Sequence, residues 1–127
     1  MLDINDLIGL PYRWGGKPSE GFVDCFQLHN EIRRRLGLSD KSQEFAFAYE
    51  QWTEATFPQT QLMRWLKSEC TVCKEKTGAI VLMQGNKGRG ALGTIVGHGD
   101  VSFISLSGVV IRTKVANLGE VRLFWAD

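Results

Sequence analysis

The stretch whose reading decides the fold is LPYRWGGKPSEGFVDCFQLHNEIRRRLGL, Leu10 to Leu38. Its second half carries a helix pattern. Cys25, Leu28, Ile32 and Leu36 recur at helical spacing, and Glu31, Arg33, Arg34 and Arg35 make up most of the other face. Asp24 suits the N-cap, since its carboxylate can accept the unpaired N–H groups of the first turn, with Gln27 three residues on as a capping-box partner. Gly37 stands where such a helix should stop. Cys25 thus falls in the first turn, where the partial positive charge of the helix end favours a thiolate. Two readings follow. Cysteine is often buried and Cys25 lies on the apolar stripe, which makes it a structural residue. A nucleophile would also need a base, normally a histidine that takes the thiol proton and returns it to the leaving group. Spacing alone favours the structural reading.

On the N-terminal side, Asp3 to Leu10 is expected as a short helix stopped by Pro11. On the C-terminal side, a helix over Ser42–Phe57 would place Phe45, Ala48, Trp52 and Ala55 on one face, with Pro58 ending it. A third, Thr60–Lys67, carries Leu62, Met63, Trp65 and Leu66. From Gly78 the pattern changes to short strands: AIVLM, ALGTIV, VSFIS, GVVIRT and VRLFW, with GHGD as a hairpin turn. Helices first and an antiparallel sheet afterwards predict an α+β fold in one domain, 1–127.

Composition narrows the function. A 127-residue chain with 43% hydrophobic and 23% charged residues can fill one core, and a net charge of +1 gives no general reason to expect nucleic acid as partner. No apolar run approaches the roughly 18 residues that span a bilayer, and MLDINDLIGL lacks a signal-peptide pattern. A chain made in a cytoplasm is expected, leaving it only as part of a larger assembly. Three cysteines without a signal favour thiols over a disulfide framework.

The blocks GLPYRWGG and GFVDCFQL, the helix after them, GAIVLM, and GTIVGHGDVSFISLSGVVI together resemble the NlpC-type cell-wall cysteine peptidases. That family carries a Tyr-x-Trp-Gly-Gly turn, an Asp-Cys-Ser-Gly helix start, a Gly-Asp-Leu-Val strand and a His-Val-Gly-Ile hairpin. The likeness runs from Gly9 to Ile111, and its first block is the more specific. It implies a papain-like α+β core, N-terminal helices on a C-terminal antiparallel sheet, an ancestral hydrolysis of peptidoglycan stem peptides, and no cofactor. It puts Cys25 at the nucleophile position and Tyr12 and Asp24 at positions that hold the substrate's stem peptide and free amine. Trp14 would stand near the cleft wall.

The catalytic set is incomplete. Aligning ALGTIVG with His-Val-Gly-Ile-x-x-Gly puts Ala91 where the general base belongs, and Ser105 or Phe103 where its orienting residue belongs. Phe26 and Gln27 replace the usual Ser-Gly. His98, in the GHGD turn, would sit on the order of 20 Å along the strand from the base position. His29 lies four residues after Cys25 on the same helix side and is the substitute base, against a structural reading as a buried histidine. Small members of this family resemble components of bacteriophage tails, delivered to the wall by the assembled virion. The expectation is therefore a tail or baseplate component of degenerate activity, with tail proteins as partners. An active endopeptidase or amidase, and a non-cutting binder of wall peptides using Tyr12 and Asp24, are the alternatives.

Other features carry less. Cys70 and Cys73 in CTVC have half a zinc spacing, but a structural site wants four ligands, and Cys25, His29 and His98 form no second close pair. No metal is expected, and two thiols flanking a strand or turn is the simpler reading. GNKGRG lacks the ending of a phosphate-binding loop. Arg33–Arg35 reads as an exposed helix face, and Trp52, Trp65 and Trp125 as mostly core.

Overall fold

The computed structural model describes residues 2–39, 42–53, 56–83, 92–97 and 99–125. Among these residues three α-helices, α1 (Cys25–Arg35), α2 (Ser42–Gln51) and α3 (Gln59–Glu69), precede six strands. These are β1 (Thr71–Val72), β2 (Ile80–Met83), β3 (Leu92–Gly97), β4 (Asp100–Ile104), β5 (Val110–Lys114) and β6 (Val121–Trp125). They form one sheet in the order β1-β6-β2-β3-β4-β5, with every neighbouring pair antiparallel. The fold is α+β.

α1 begins and ends as its sequence requires. Asp24 is extended and its Oδ1 accepts the Gln27 N–H at 2.8 Å. At the other end Gly37 adopts φ +76°, the Leu38 N–H reaches the Arg33 carbonyl at 2.9 Å, and the Gly37 N–H reaches Arg34 at 3.1 Å. That double bond pattern satisfies carbonyls the helix would leave open, and its left-handed residue is cheapest as glycine.

The two sides of the sheet carry separate cores, because side chains alternate along each strand. On the helix side, Ile80, Leu82, Leu92 and Phe124 meet Cys25, Phe26, Leu62, Trp65 and Leu66, while Val96, Ile104 and Val110 meet Leu28, Ile32, Ile4 and Leu7. On the far side, Val81, Ile95, Val101 and Phe103 pack under Leu118 of the short 3-10 turn Val115–Leu118.

Four expectations need correction. Residues 3–10 make successive turns rather than a helix, with the Leu7 and Ile8 N–H groups both on the Ile4 carbonyl and the Leu10 N–H on the Leu7 carbonyl. Gly9 takes φ +90°, and its N–H bonds Val110 while Val110 bonds Leu10, so pairing with the start of β5 takes the backbone groups a helix would use. α2 stops at Gln51 because Thr53 and Thr56 form their own turn, the Thr53 N–H on the Thr56 hydroxyl at 2.9 Å. α3 runs two residues past Lys67. Arg33 is not on an exposed face: it is 1% exposed. Its Nε donates to the Ser39 carbonyl at 2.9 Å, another nitrogen to the Ser39 hydroxyl at 3.2 Å, and its guanidinium lies 5.1 Å from the Trp125 ring centre. Arg34 and Arg35 do reach solvent and pair with Glu31, and Arg35 also grips Asp6 through two 2.7 Å bonds. The side chain of Phe45, and Ala55, lie outside the described residues.

Candidate functional site

The aromatic Gly-Gly turn and the start of α1 meet at Asp24. Its Oδ2 accepts the Gly15 N–H at 2.7 Å and the Tyr49 hydroxyl at 2.6 Å, while Oδ1 caps α1. The carboxylate is fully buried. Burial pushes its pKa up, and the hydrogen bonds from Tyr49, Gln27 and Gly15 pull the other way. Burial and the Asp24 charge push the Tyr49 phenol far above its ordinary range, so at neutral pH the phenol is the donor. The Gln27 side chain is directed to the same hydroxyl. Both oxygens of Asp24 are thus engaged within the chain.

Around this staple the aromatic side chains close ranks. Trp14 packs on Tyr49, Phe57 and Phe26 with ring centres 5.1, 5.6 and 6.2 Å apart, and Phe26 meets Phe57 at right angles, 5.7 Å away. Phe26 is 1% exposed. Where the resemblance calls for a small residue beside a cleft, the space next to Cys25 is filled by rings. Tyr12 bridges Val23, one residue before Asp24; its ring lies half-buried on the cluster of Ile4, Leu7, Val23 and Leu28, and its N–H bonds the Gly108 carbonyl at 2.8 Å.

Cys25 is the first residue of α1 and 6% exposed. α1 and β3 run in the same direction, in step. Cys25 shares a cluster with Leu92, His29 Nδ1 lies 2.8 Å from the Thr94 hydroxyl, and Leu28 and Ile32 share a cluster with Val96. The steps match because four helical residues rise about 6 Å and two strand residues about 6.6 Å. His29 is buried, at 1% exposure, and its Nδ1 is spent on β3. The β3 residue that shares the helix-side cluster with Cys25 is Leu92, an apolar side chain.

The remaining positions separate. Phe103 points to the opposite side of the sheet, packed with Val101 and Ile95, so it cannot orient a base at Cys25. Ser105 belongs to the β4–β5 turn, its hydroxyl 2.8 Å from that of Ser107. Ala91, His98 and the GNKGRG loop lie outside the described residues. The sequence reading missed Thr94 and Tyr49. Thr94 had a signal, a lone polar residue inside the apolar run LGTIVG; Tyr49 had none.

No disulfide links the three cysteines. Cys70 packs against the helix-side core and Cys73 against the far-side core. Three extended residues span about 10 Å, beyond the reach of a disulfide, so the CTVC pair as placed does not close a ring. Among the described residues no group of three His, Cys, Asp or Glu is placed to hold a metal ion, and no helix is long and apolar enough to cross a membrane. No family model, curated protein or solved structure matches the chain.

Proposed function

We propose that the chain is a scaffold derived from a cysteine peptidase: a papain-like domain of the NlpC type, retained as a bacteriophage tail or baseplate component and hydrolysing peptidoglycan stem peptides at a negligible rate. The observation that supports the loss of activity is the setting of Cys25, 6% exposed and sharing the helix-side core with the apolar Leu92, whose chain neighbour Ala91 aligns with the family's base. A positioned base contributes roughly a hundred- to ten-thousandfold, and a leaving amine needs its proton. Phe26 filling the neighbouring space and Asp24 engaged on both oxygens support the same reading. The NlpC kinship rests on the YRWGG and Asp-Cys blocks, and a helix-start cysteine packed on an antiparallel sheet accords with it. The tail setting rests on that resemblance.

The test is an assay of the purified protein on peptidoglycan stem peptides. No turnover above buffer is expected, and none is expected from Cys25→Ser. Turnover that disappears in Cys25→Ser would overturn the proposal. Tail genes flanking the coding sequence are the expected genome setting; a host operon without them counts against the virion role.

A further inference from the structure

The sheet is unevenly finished at its β1 margin. β6 pairs with β2 from Val121 to Phe124, whereas β1 faces only Phe124 and Trp125, followed by a Cys73 N–H bond to the Leu123 carbonyl at 3.0 Å. Bonded residues alternate along an antiparallel ladder. With Leu123 bonded toward β1, Arg122 and Phe124 direct their main-chain groups to β2, and Val121 directs its N–H and C=O to the side that β1 does not reach. A slot of about 560 Å³ lies there, walled by Met63 and Lys67 of α3 and bounded by Val72, Cys73, Val121 and Arg122. A groove of about 590 Å³ along α3 shares Met63 and Lys67 with it and extends to Arg64. Among the described residues lining the two, every charged side chain is a cation and no carboxylate is present. Val72 beside the slot is 73% exposed.

We propose that this margin docks an extended acidic segment of a partner protein, which adds as a strand beside β6 and sets its carboxylates against Lys67, Arg122 and Arg64. Main-chain groups at an open sheet edge supply sequence-independent affinity, and alternate side chains of the added strand enter the slot. The single sign of the lining selects the partner: a second copy offering the same margin would bring like charges together. The inference stands apart from the fate of the Cys25 site.

Fluorescence anisotropy on the full chain tests it, using a short labelled peptide of alternating valine and glutamate. Its controls are a valine–lysine peptide and an acidic peptide with proline at alternate positions, which cannot pair as a strand. The valine–glutamate peptide is expected to bind about tenfold more tightly than the valine–lysine one, and to weaken with salt. Lys67→Glu combined with Arg122→Glu, both exposed positions, should cost about tenfold. Val121→Pro removes the outward N–H without touching the β2 ladder and should abolish binding; if it does not fold, the charge reversals decide. Absence of binding, equal binding of the two charge types, indifference to charge reversal, or full binding of the proline-interrupted peptide would each overturn the proposal. So would a dimer in sedimentation that the acidic peptide fails to dissociate.

Discussion

Asp24 receives donors from three stretches of chain: Gly15 in the aromatic turn, Gln27 in α1 and Tyr49 in α2. Asp24→Ala removes a helix cap, worth about 0.5–2 kcal/mol, and leaves buried donors unpaired at about 1–3 kcal/mol. Urea unfolding should therefore show a loss of about 3 kcal/mol. Tyr49→Phe, which leaves the cap in place, should cost about 1 kcal/mol. The cap was legible because an aspartate before an apolar periodic run has one economical use. The bonds to Gly15 and Tyr49 were not, since they depend on where the turn and α2 pack. The thiols differ in the same local way. With Cys25 buried and Cys70 and Cys73 half-buried, a disulfide reagent should modify the latter two in the native protein and Cys25 only on unfolding. Rapid native modification of Cys25 would contradict the packing described for it.

Among the elements, α1 was the most legible, because cap, stripe and stop agreed. Its error was Arg33. A cation on a helix flank reads as solvated, yet Arg33 finds the Ser39 carbonyl and hydroxyl and the face of Trp125. A guanidinium tolerates burial when its fork is matched, and a single point charge is not equivalent. Arg33→Lys should therefore destabilise the protein by about 2 kcal/mol, and it should do so without lowering the helix content seen by circular dichroism. Gly37→Ala puts a Cβ at φ +76° and should cost about 1–2 kcal/mol. The strands were legible as apolar runs, but their order and the second core beneath Leu118 were not, since pairing joins segments far apart in sequence. The lost first helix has the same cause: residues 3–10 have local helix signals, and the backbone bonds of Gly9 and Leu10 to Val110 outweigh them.

For the whole molecule, acid stability is a balance of opposed carboxylates. Bonds to Arg35 hold Asp6 below its ordinary 3.8, and Lys114 and Arg112 do the same for Asp100. Burial works to raise Glu31, but Arg34 and Arg35 outweigh it and hold it below 4.5. Groups lowered by folding stabilise above their unfolded values, and that contribution is lost as pH falls through their folded ones. Asp24 is raised, so its contribution has the opposite sign: it is present below the unfolded value and is lost as pH rises through the folded one. Tm should fall as pH drops below about 4, more steeply in Asp24→Asn than in the wild type, and less steeply in high salt because the Asp6 pair is exposed. A Tm that is flat through this range would contradict the ion-pair assignment.

Cys70 and Cys73 look out through opposite sides of the sheet. Air oxidation accordingly has no ring to close and must join one molecule to the next. Each chain then behaves as a two-ended link, so an ageing preparation should run on a non-reducing gel as a ladder of multimers, and Cys73→Ser should cap that ladder at the dimer.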